Sequence, residues 1–271
     1  MTLTYLGTSS CEGTPAVFCN CKNCRKAREL GGKNVRTRSQ SLLNDDLLID
    51  FPADTLYHFH QNKIEGHKIK YLLLTHSHSD HLYVSDIFYR GGARAKNMEV
   101  ETLHLYCGKG VYDKLAARGE PMNIEMHLVA PFDTFTVGDY RVTALPARHM
   151  PGDGALIYLI EGDKTLLYAH DTGYFYDEVF DYLSQNGIKL DMATYDCAYV
   201  DHRIADDGGH MGIENIRRVV ARLTELGVAT DTTKHAINHF AHNAASLQDM
   251  LEEMVREDGY LVAYDGCAVE L

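Results

Sequence analysis

Apolar and polar residues alternate across Leu3–Gly7, the period of a strand with one buried face. The same texture returns in Ser41–Asn44 and Asp46–Phe51, and the turn-forming pair Asn44-Asp45 between them predicts a β-hairpin. Helical spacing follows over Ala53–Asn62. Lys70–Thr75 is a continuous apolar run of strand length, as expected of a strand covered on both faces. Further apolar strands are predicted near Thr102–Cys107 and Glu125–Ala130, with a helix between them. In the second half Arg141–Leu145, Ala155–Ile160 and Lys164–Ala169 read as antiparallel strands, the last two joined by the turn Glu161-Gly162-Asp163. Tyr176–Asn186 reads as a helix, Met192–Tyr195 as a buried strand and Ile213–Leu226 as a long helix. A short strand at His235–Asn238, a helix at Ser246–Glu257 and a closing strand at Tyr260–Val269 complete the pattern. Strands alternate with surface helices but without a regular βαβ rhythm. The expected fold class is therefore α+β, two mixed sheets packed together with helices outside. No repeat, low-complexity tract or Pro/Ser-rich linker divides the chain, so residues 1–271 are read as one domain.

Composition adds limits. A chain of 271 residues with 45% apolar and 24% charged residues can close a sizeable core, which excludes a disordered polypeptide. Lys and Arg number 26 against 38 Asp and Glu, giving a formal charge of −12. Such a surface repels a phosphate backbone, and no basic cluster offsets it, so nucleic acid is not an expected partner. No apolar run reaches the ~18–20 residues of a membrane span, and the N-terminus lacks the charged start and apolar stretch of a signal peptide. A soluble, cytoplasmic protein without a membrane partner is expected. Seven cysteines, an odd number, argue against a disulfide framework, and a tight cysteine cluster then reads first as a metal site.

The sharpest feature is His76-Ser-His78-Ser-Asp80-His81, leaving the apolar strand that ends at Thr75. Imidazole and carboxylate are the donors that hold zinc, manganese or iron at hydrolytic sites. Four such groups in six residues converge only if the loop curls, and alternation turns His76 and His78 to one point and Asp80 and His81 to a second. The run resembles the HxHxDH signature of the metallo-β-lactamase-fold hydrolases, and the resemblance spans essentially the whole chain. It implies an αββα four-layer sandwich with a binuclear metal site at one edge of its sheets. His149 after the strand YRVTALPA, Asp171 in YAHDTG and His239 in AINHF stand in the expected order. Taken singly, His149 and Asp171 read as turn residues. Carried over from the family, His76, His78 and His149 would hold one metal. Asp80, His81 and His239 would hold the other, with Asp171 bridging. Two divalent ions (Zn, Mn or Fe) ~3.5–4 Å apart share a water and make hydroxide available near neutral pH. Asp50, ending the strand LLID, resembles the aspartate that orients a metal-bound imidazole and also reads as a strand-end turn residue.

Cys19-Asn-Cys21-Lys-Asn-Cys24 places three thiols within six residues, a structural-zinc spacing one ligand short of a tetrahedron. His242, three residues after His239, is the chosen fourth ligand. The opening LGTSSCEGTPAVFCNCKNC resembles that of the phosphoribosyl cyclic phosphodiesterases, whose cysteine triplet shares a zinc with such a histidine. This expected zinc loop covers about residues 11–28. Cys107, Cys197 and Cys267 read as buried thiols, and His170 as structural. Phosphodiesterases of the superfamily also use a late-loop histidine supported by a carboxylate. Asp196 in TYDCAY and His210 in GGHMGIENI stand where that pair would lie, with His210 as acid or phosphate contact.

The expected function is a binuclear metal-dependent phosphodiesterase, attacking a small phosphate ester, cyclic or open, with a metal-bridging hydroxide. One alternative is a tRNA 3′-processing endoribonuclease, which the acidic charge and the lack of a basic Gly-rich insertion oppose. Another is a lactone, thioester or other carbonyl-ester hydrolase of the same fold, against which the His210–Asp196 pair tilts. A di-iron oxidoreductase would carry a Glu ligand and a flavin domain, and a degenerate binding module would lack ligands. Many members of the family are dimers, so a homodimer is compatible with the resemblance.

Overall fold

The computed structural model describes residues 1–119 and 121–271. The chain first lays down β1 (Thr2–Gly7), helix α1 (Lys22–Leu30), the hairpin β2 (Gln40–Leu43) and β3 (Leu47–Ile49), then α2 (Thr55–Asn62) and β4 (Tyr71–Leu74). A short α3 (Val84–Ile87), β5 (Leu103–Cys107), α4 (Lys109–Ala116) and β6 (Ile124–Leu128) follow. The second half begins with β7 (Thr134–Val137), β8 (Tyr140–Pro146), β9 (Leu156–Glu161) and β10 (Thr165–Ala169). It continues through α5 (Asp177–Gln185), β11 (Met192–Asp196), α6 (Ile213–Glu225), β12 (Lys234–Asn238), α7 (Gln248–Met254), β13 (Leu261–Val262) and β14 (Cys267–Glu270). Two seven-stranded sheets result, in the orders β14-β1-β2-β3-β4-β5-β6 and β13-β12-β11-β10-β9-β8-β7. Both are mixed: β3 to β6 and β10 to β13 run parallel, and the remaining pairs are antiparallel.

Side-chain parity builds four layers. Leu3, Tyr5, Leu73, Val142, Tyr158 and Tyr168 fill the space between the sheets. Leu72 and Leu74 point the other way, onto Val111 and Leu115 of α4. On the outer face of the second sheet, Leu167 and Ala193 pack under Val179 and Phe180 of α5 and Ile216 and Val219 of α6. β4 is thus apolar on both faces, which explains its uninterrupted Leu72-Leu73-Leu74.

Three details differ from the sequence reading. Part of the predicted zinc loop is helix: Cys21 accepts the Cys24 N–H and caps α1. β7 and α3 were not predicted, the first because Thr134–Val137 is a half-exposed edge strand with little apolar content. The single closing strand predicted at Tyr260–Val269 is two strands in different sheets, because the chain crosses between the sheets at Ala263–Gly266. Buried polar groups fix that crossing. Asp265 accepts from Thr8 Oγ1 and Thr37 N, both at 2.7 Å, and the buried Arg36 guanidinium donates to the Ala263 carbonyl at 2.6 Å.

His58 of α2 lies in the same polar seam, 2.6 Å from both Thr37 Oγ1 and Gln40 Oε1. Burial pushes its imidazole down to about 4, against the opposing pull of Asp54. The folded state therefore holds His58 neutral while the unfolded chain binds a proton near pH 6.5. Stability is complete above that value and falls as the pH drops toward 4, by about 3 kcal/mol from this group. Urea titrations of wild type and His58→Gln between pH 7.5 and 4 are expected to diverge by that slope, the variant lacking it.

Candidate metal centre

The residues singled out in the sequence come together at one edge of the sandwich. β4 releases the loop carrying His76, His78, Asp80 and His81. His149 follows β8, Asp171 follows β10, Asp196 ends β11 and His239 follows β12. β10, β11 and β12 are parallel and in register, with Ala169 opposite Tyr195 and Asp196 opposite Asn238, so their carboxyl ends deliver these groups side by side. Asp50, Asp171 and His239 all have positive φ (65°, 50° and 62°), a conformation rarely adopted by residues other than glycine. Strain of this kind persists where surrounding structure holds it, and here it turns three strand ends into the site.

Two clusters form. His76 Nε2 and His149 Nε2 lie 3.0 and 3.1 Å from His78 Nδ1, with Asp171 Oδ1 at 4.0 Å from His76 and 3.7 Å from His149. His81 Nε2 lies 3.3 Å from His239 Nε2 and 3.4 Å from Asp80 Oδ2, and the second oxygen of Asp171 is 2.8 and 3.0 Å from those two imidazoles. Asp171 therefore gives one oxygen to each cluster. The ring orientations are fixed from behind. His149 Nδ1–H donates to the Gly209 carbonyl at 2.9 Å, leaving the Nε2 lone pair for the cluster. His81 Nδ1–H donates to Asp50 Oδ2 at 2.7 Å, a contact that holds the ring's orientation, and the other Asp50 oxygen accepts from Thr75 N at 2.8 Å.

The donor set fits divalent cations. In the neutral ring, with Nδ1 of His81 donating to Asp50, Nε2 carries a lone pair that faces the Asp171 carboxylate at 2.8 Å. Two acceptors at that distance require a proton or a cation between them. Asp171 Oδ2 and His239 Nδ1 are buried without a hydrogen-bond partner. Burial drives His76 well below the usual imidazole range. Burial also opposes charge on His81 and Asp171, yet Asp171 and Asp50 hold His81 well above its ordinary range, and His239 and His81 hold Asp171 well below its own. The seven predicted ligands can thus form two sites, with Asp171 shared.

Asp196 Oδ1 accepts the Ala198 and Met211 amides at 3.0 and 3.1 Å, and its Oδ2 lies 2.7 Å from His210 Nδ1. Burial opposes a charge on His210, but Asp196 outweighs it and pushes the imidazole up to about 9. Asp196 Oδ2 also lies 3.5 Å from His239 Nδ1, within ion-pair distance but without a hydrogen bond, a proximity the sequence did not reveal. His210 stacks on His239 with ring centroids 5.6 Å apart and opens onto a cleft of about 360 Å³. Ser10, Cys11, Glu12, Tyr199 and Asn243 line the same cleft. None of these was singled out in the sequence as a site residue, Cys11 reading only as a small loop residue. Asp153 was also missed: its carboxylate accepts Ser77 N at 2.9 Å and Ser77 Oγ at 2.7 Å, clamping the histidine loop. It stands in a Pro-Gly-Asp-Gly turn that looks like ordinary loop. His170 is buried and hydrogen-bonded to Thr194 at 2.9 Å, in keeping with a structural role.

The cysteine cluster is also assembled. Cys19, Cys21, Cys24 and His242 place donor atoms within 4.8 Å of one another, His242 Nδ1 being 3.4 Å from Cys24 Sγ and 3.9 Å from Cys21 Sγ. Burial works against a thiolate at Cys21, but the Cys24 amide and His242 bring its thiol down to about 6, the range of metal-binding thiols. Cys107, Cys197 and Cys267 are buried, as expected. Cys21→Ser is expected to bind one zinc fewer per chain by atomic emission and to unfold several kcal/mol more easily, since a site preformed only in the folded state stabilises it. Unchanged zinc content would remove the assignment.

Paired His/Asp clusters at the carboxyl edge of an αββα sandwich define a metallo-β-lactamase-fold hydrolase. The Beta-lactamase superfamily domain model matches residues 47–233, and the chain belongs to that family. No curated protein matches the sequence. Among solved structures, a diphosphatase of the PhnP family superposes with a TM-score of 0.75 at 22% identity, covering 100% of this chain and 97% of that one. Zn²⁺-bound PqqB from Methylobacterium extorquens gives 0.74 at 18%, covering 100% of both chains. Human tRNase Z, short form, gives 0.65 at 15%, covering 100% of this chain and 99% of its own. No helix among the described residues is long and apolar enough to cross a membrane.

Proposed function

We propose that the chain is a binuclear metal-dependent phosphodiesterase acting on a small phosphate ester, a cyclic phosphate or nucleotide-like diester. The observation that carries this reading is the Asp196–His210 pair, 2.7 Å apart, beside the two clusters and open to the cleft. His76, His78, His149 and Asp171 would hold one ion, and Asp80, His81, His239 and Asp171 the other, with zinc, manganese or iron suited to these donors. Bound there, the pair of ions supplies Lewis acidity and hydroxide near neutral pH. The remaining work falls to the chain. Asp196 fixes Nδ1 of His210, which leaves Nε2 to donate to a phosphoryl or departing ester oxygen. Asp50 and the Gly209 carbonyl keep two ligand imidazoles in one tautomer and orientation. Cys19, Cys21, Cys24 and His242 would hold a structural zinc that braces the segment carrying His239.

The cleft supports a small substrate of low charge. No Lys or Arg lines it among the described residues, while Glu12 stands at its rim, its carboxyl kept below the usual range by its own amide and Ser10 despite burial. A polyanion such as tRNA lacks a counter-charge there. The likeness to a PhnP-family diphosphatase supports this neighbourhood of substrates, and the free thiols suit a cytoplasmic setting. The test is turnover of one panel by metal-loaded protein: an aryl phosphodiester, cyclic nucleotides, a cyclic ribose phosphate, a diphosphate ester, pre-tRNA, a lactone and a thioester. The small diesters are expected to exceed every other member in kcat/KM; preference for the lactone, thioester or pre-tRNA overturns the reading.

A further inference from the structure

A third group of ligating side chains lies far from both sites, at the opposite end of the first sheet. His104 of β5 and Glu125 and His127 of β6 project from adjacent parallel strands, with His104 in register with Glu125, and His127 with Tyr106. His104 Nδ1 and His127 Nε2 are 3.3 Å apart. The Glu125 carboxylate straddles them, one oxygen 3.4 Å from His104 Nδ1 and the other 3.7 Å from His127 Nε2. His104 also pairs with Tyr71, at the start of β4, whereas His76 follows the end of that strand. Five residues of extended chain put the group about 16 Å from the catalytic loop.

Hydrogen bonding accounts for only part of this triangle: one N–H···N bond joins the two rings and leaves the Glu125 carboxylate without a hydrogen from either nitrogen. The two ring nitrogens face each other, so only one of them carries the proton between them, and the other is a lone pair. Two imidazole nitrogens and a carboxylate thus compete for too few hydrogens. A zinc-sized ion with ligand bonds of ~2.0–2.1 Å holds tetrahedral donors ~3.3–3.5 Å apart, which matches the spacings seen. The rings are also held for the task. His127 stacks on Tyr106 at 4.4 Å and 16°, Tyr106 stacks on Phe135 at 4.9 Å, and the His104 ring lies 24° from the plane of His127 with centroids 5.6 Å apart, so their nitrogens meet edge to edge. Side-chain exposures of 37%, 59% and 31% for His104, Glu125 and His127 leave the site open to an incoming ion.

We propose that His104, Glu125 and His127 form a further divalent-cation site, a three-ligand zinc-type site with its fourth position toward solvent. Two imidazoles select late first-row ions, Zn²⁺, Ni²⁺ or Cu²⁺, over Mg²⁺ and Ca²⁺. Occupied, it clips the edge strand β6 to β5 without reaching the reaction centre. It is independent of the proposed phosphodiesterase activity.

The test is equilibrium dialysis of the full chain against buffered Zn²⁺ up to ~100 μM, with zinc per chain measured by atomic emission and the imidazole resonances of all histidines followed by NMR. Wild type is expected to take up one ion more than His127→Ala or His104→Ala, and Zn²⁺ is expected to shift the His104 and His127 signals. Glu125→Gln, which keeps the shape of the side chain, is expected to weaken that uptake by at least about tenfold. All three variants keep the aryl phosphodiesterase rate and the zinc of the other sites. Equal zinc uptake by wild type and the variants, or His104 and His127 resonances that ignore Zn²⁺, overturns the proposal. Should an alanine variant misfold, the Glu125→Gln titration and the wild-type resonances decide alone.

Discussion

Asp171→Asn is expected to reduce hydrolysis of an aryl phosphodiester by a factor of about 10⁴ or more, the effect of losing assisted water activation and charge stabilisation together. Asp171 gives one oxygen to the His76–His78–His149 cluster and the other to the Asp80–His81–His239 cluster. An amide keeps the size but offers a single neutral carbonyl oxygen, so it cannot serve both clusters. Metal content at the catalytic site is expected to fall below two ions per chain. Asp80→Ala and His149→Ala each strip one cluster and are expected to abolish turnover as well, with circular dichroism unchanged. Wild-type turnover in any of the three would reject the site. A mere folding role for Asp171 is separable because its replacement is expected to leave zinc uptake at Cys19, Cys21, Cys24 and His242 unchanged.

The HxHxDH run carried much of this because its chemistry is local. Four donors in six residues after a buried strand state both the ligand type and the direction in which they leave the sheet. The distant ligands became legible only once two metals demanded more donors, and the structure brings all seven together. Strands covered on both faces were equally plain, since Leu72-Leu73-Leu74 must be dry on either side. Edge strands were not: β7 has one exposed face and little apolar content. The crossing at Ala263–Gly266 was hidden because Tyr260–Val269 remains apolar across the break. What interrupts it is a buried Asp265 whose partners, Thr8 and Thr37, lie more than 200 residues earlier.

The supporting residues follow the same logic. Asp50 showed itself by ending a strand, but only the 2.7 Å contact to His81 separates the orienting role from a turn residue. Asp153 and the Gly209 carbonyl act through backbone and loop contacts that no residue pattern encodes. Glu12, Cys11, Tyr199 and Asn243 come to the cleft from three separate loops, so their meeting is a property of the topology alone. Cleft lining decides substrate, which is why the sequence reaches the chemistry of the donors before it reaches the molecule they act on.

His210→Ala is expected to slow phosphodiester hydrolysis in a way that depends on the departing group, while leaving metal content at the wild-type level. His210 is held by Asp196 rather than by the two ligand clusters, its ring parallel to His239 and its Nδ1 committed to the carboxylate. In the proposed reading a group so placed would serve as an acid, and loss of a general acid typically costs ~10²–10⁴ in rate. The full loss is expected for a diester with a poor, alkoxide leaving group, which must be protonated as it departs. For an acidic phenol, which leaves as the anion, the loss should shrink to roughly tenfold or less, since the proton is no longer needed. Asp196→Asn should reproduce the same asymmetry more weakly, because the amide oxygen can still accept from Nδ1 of His210 and leaves the imidazole a neutral partner. A uniform loss across leaving groups would make His210 a phosphate-binding contact instead, and a loss of metal would place it among the ligands. The ratio of the two rates therefore reads the role of this histidine independently of how much activity survives.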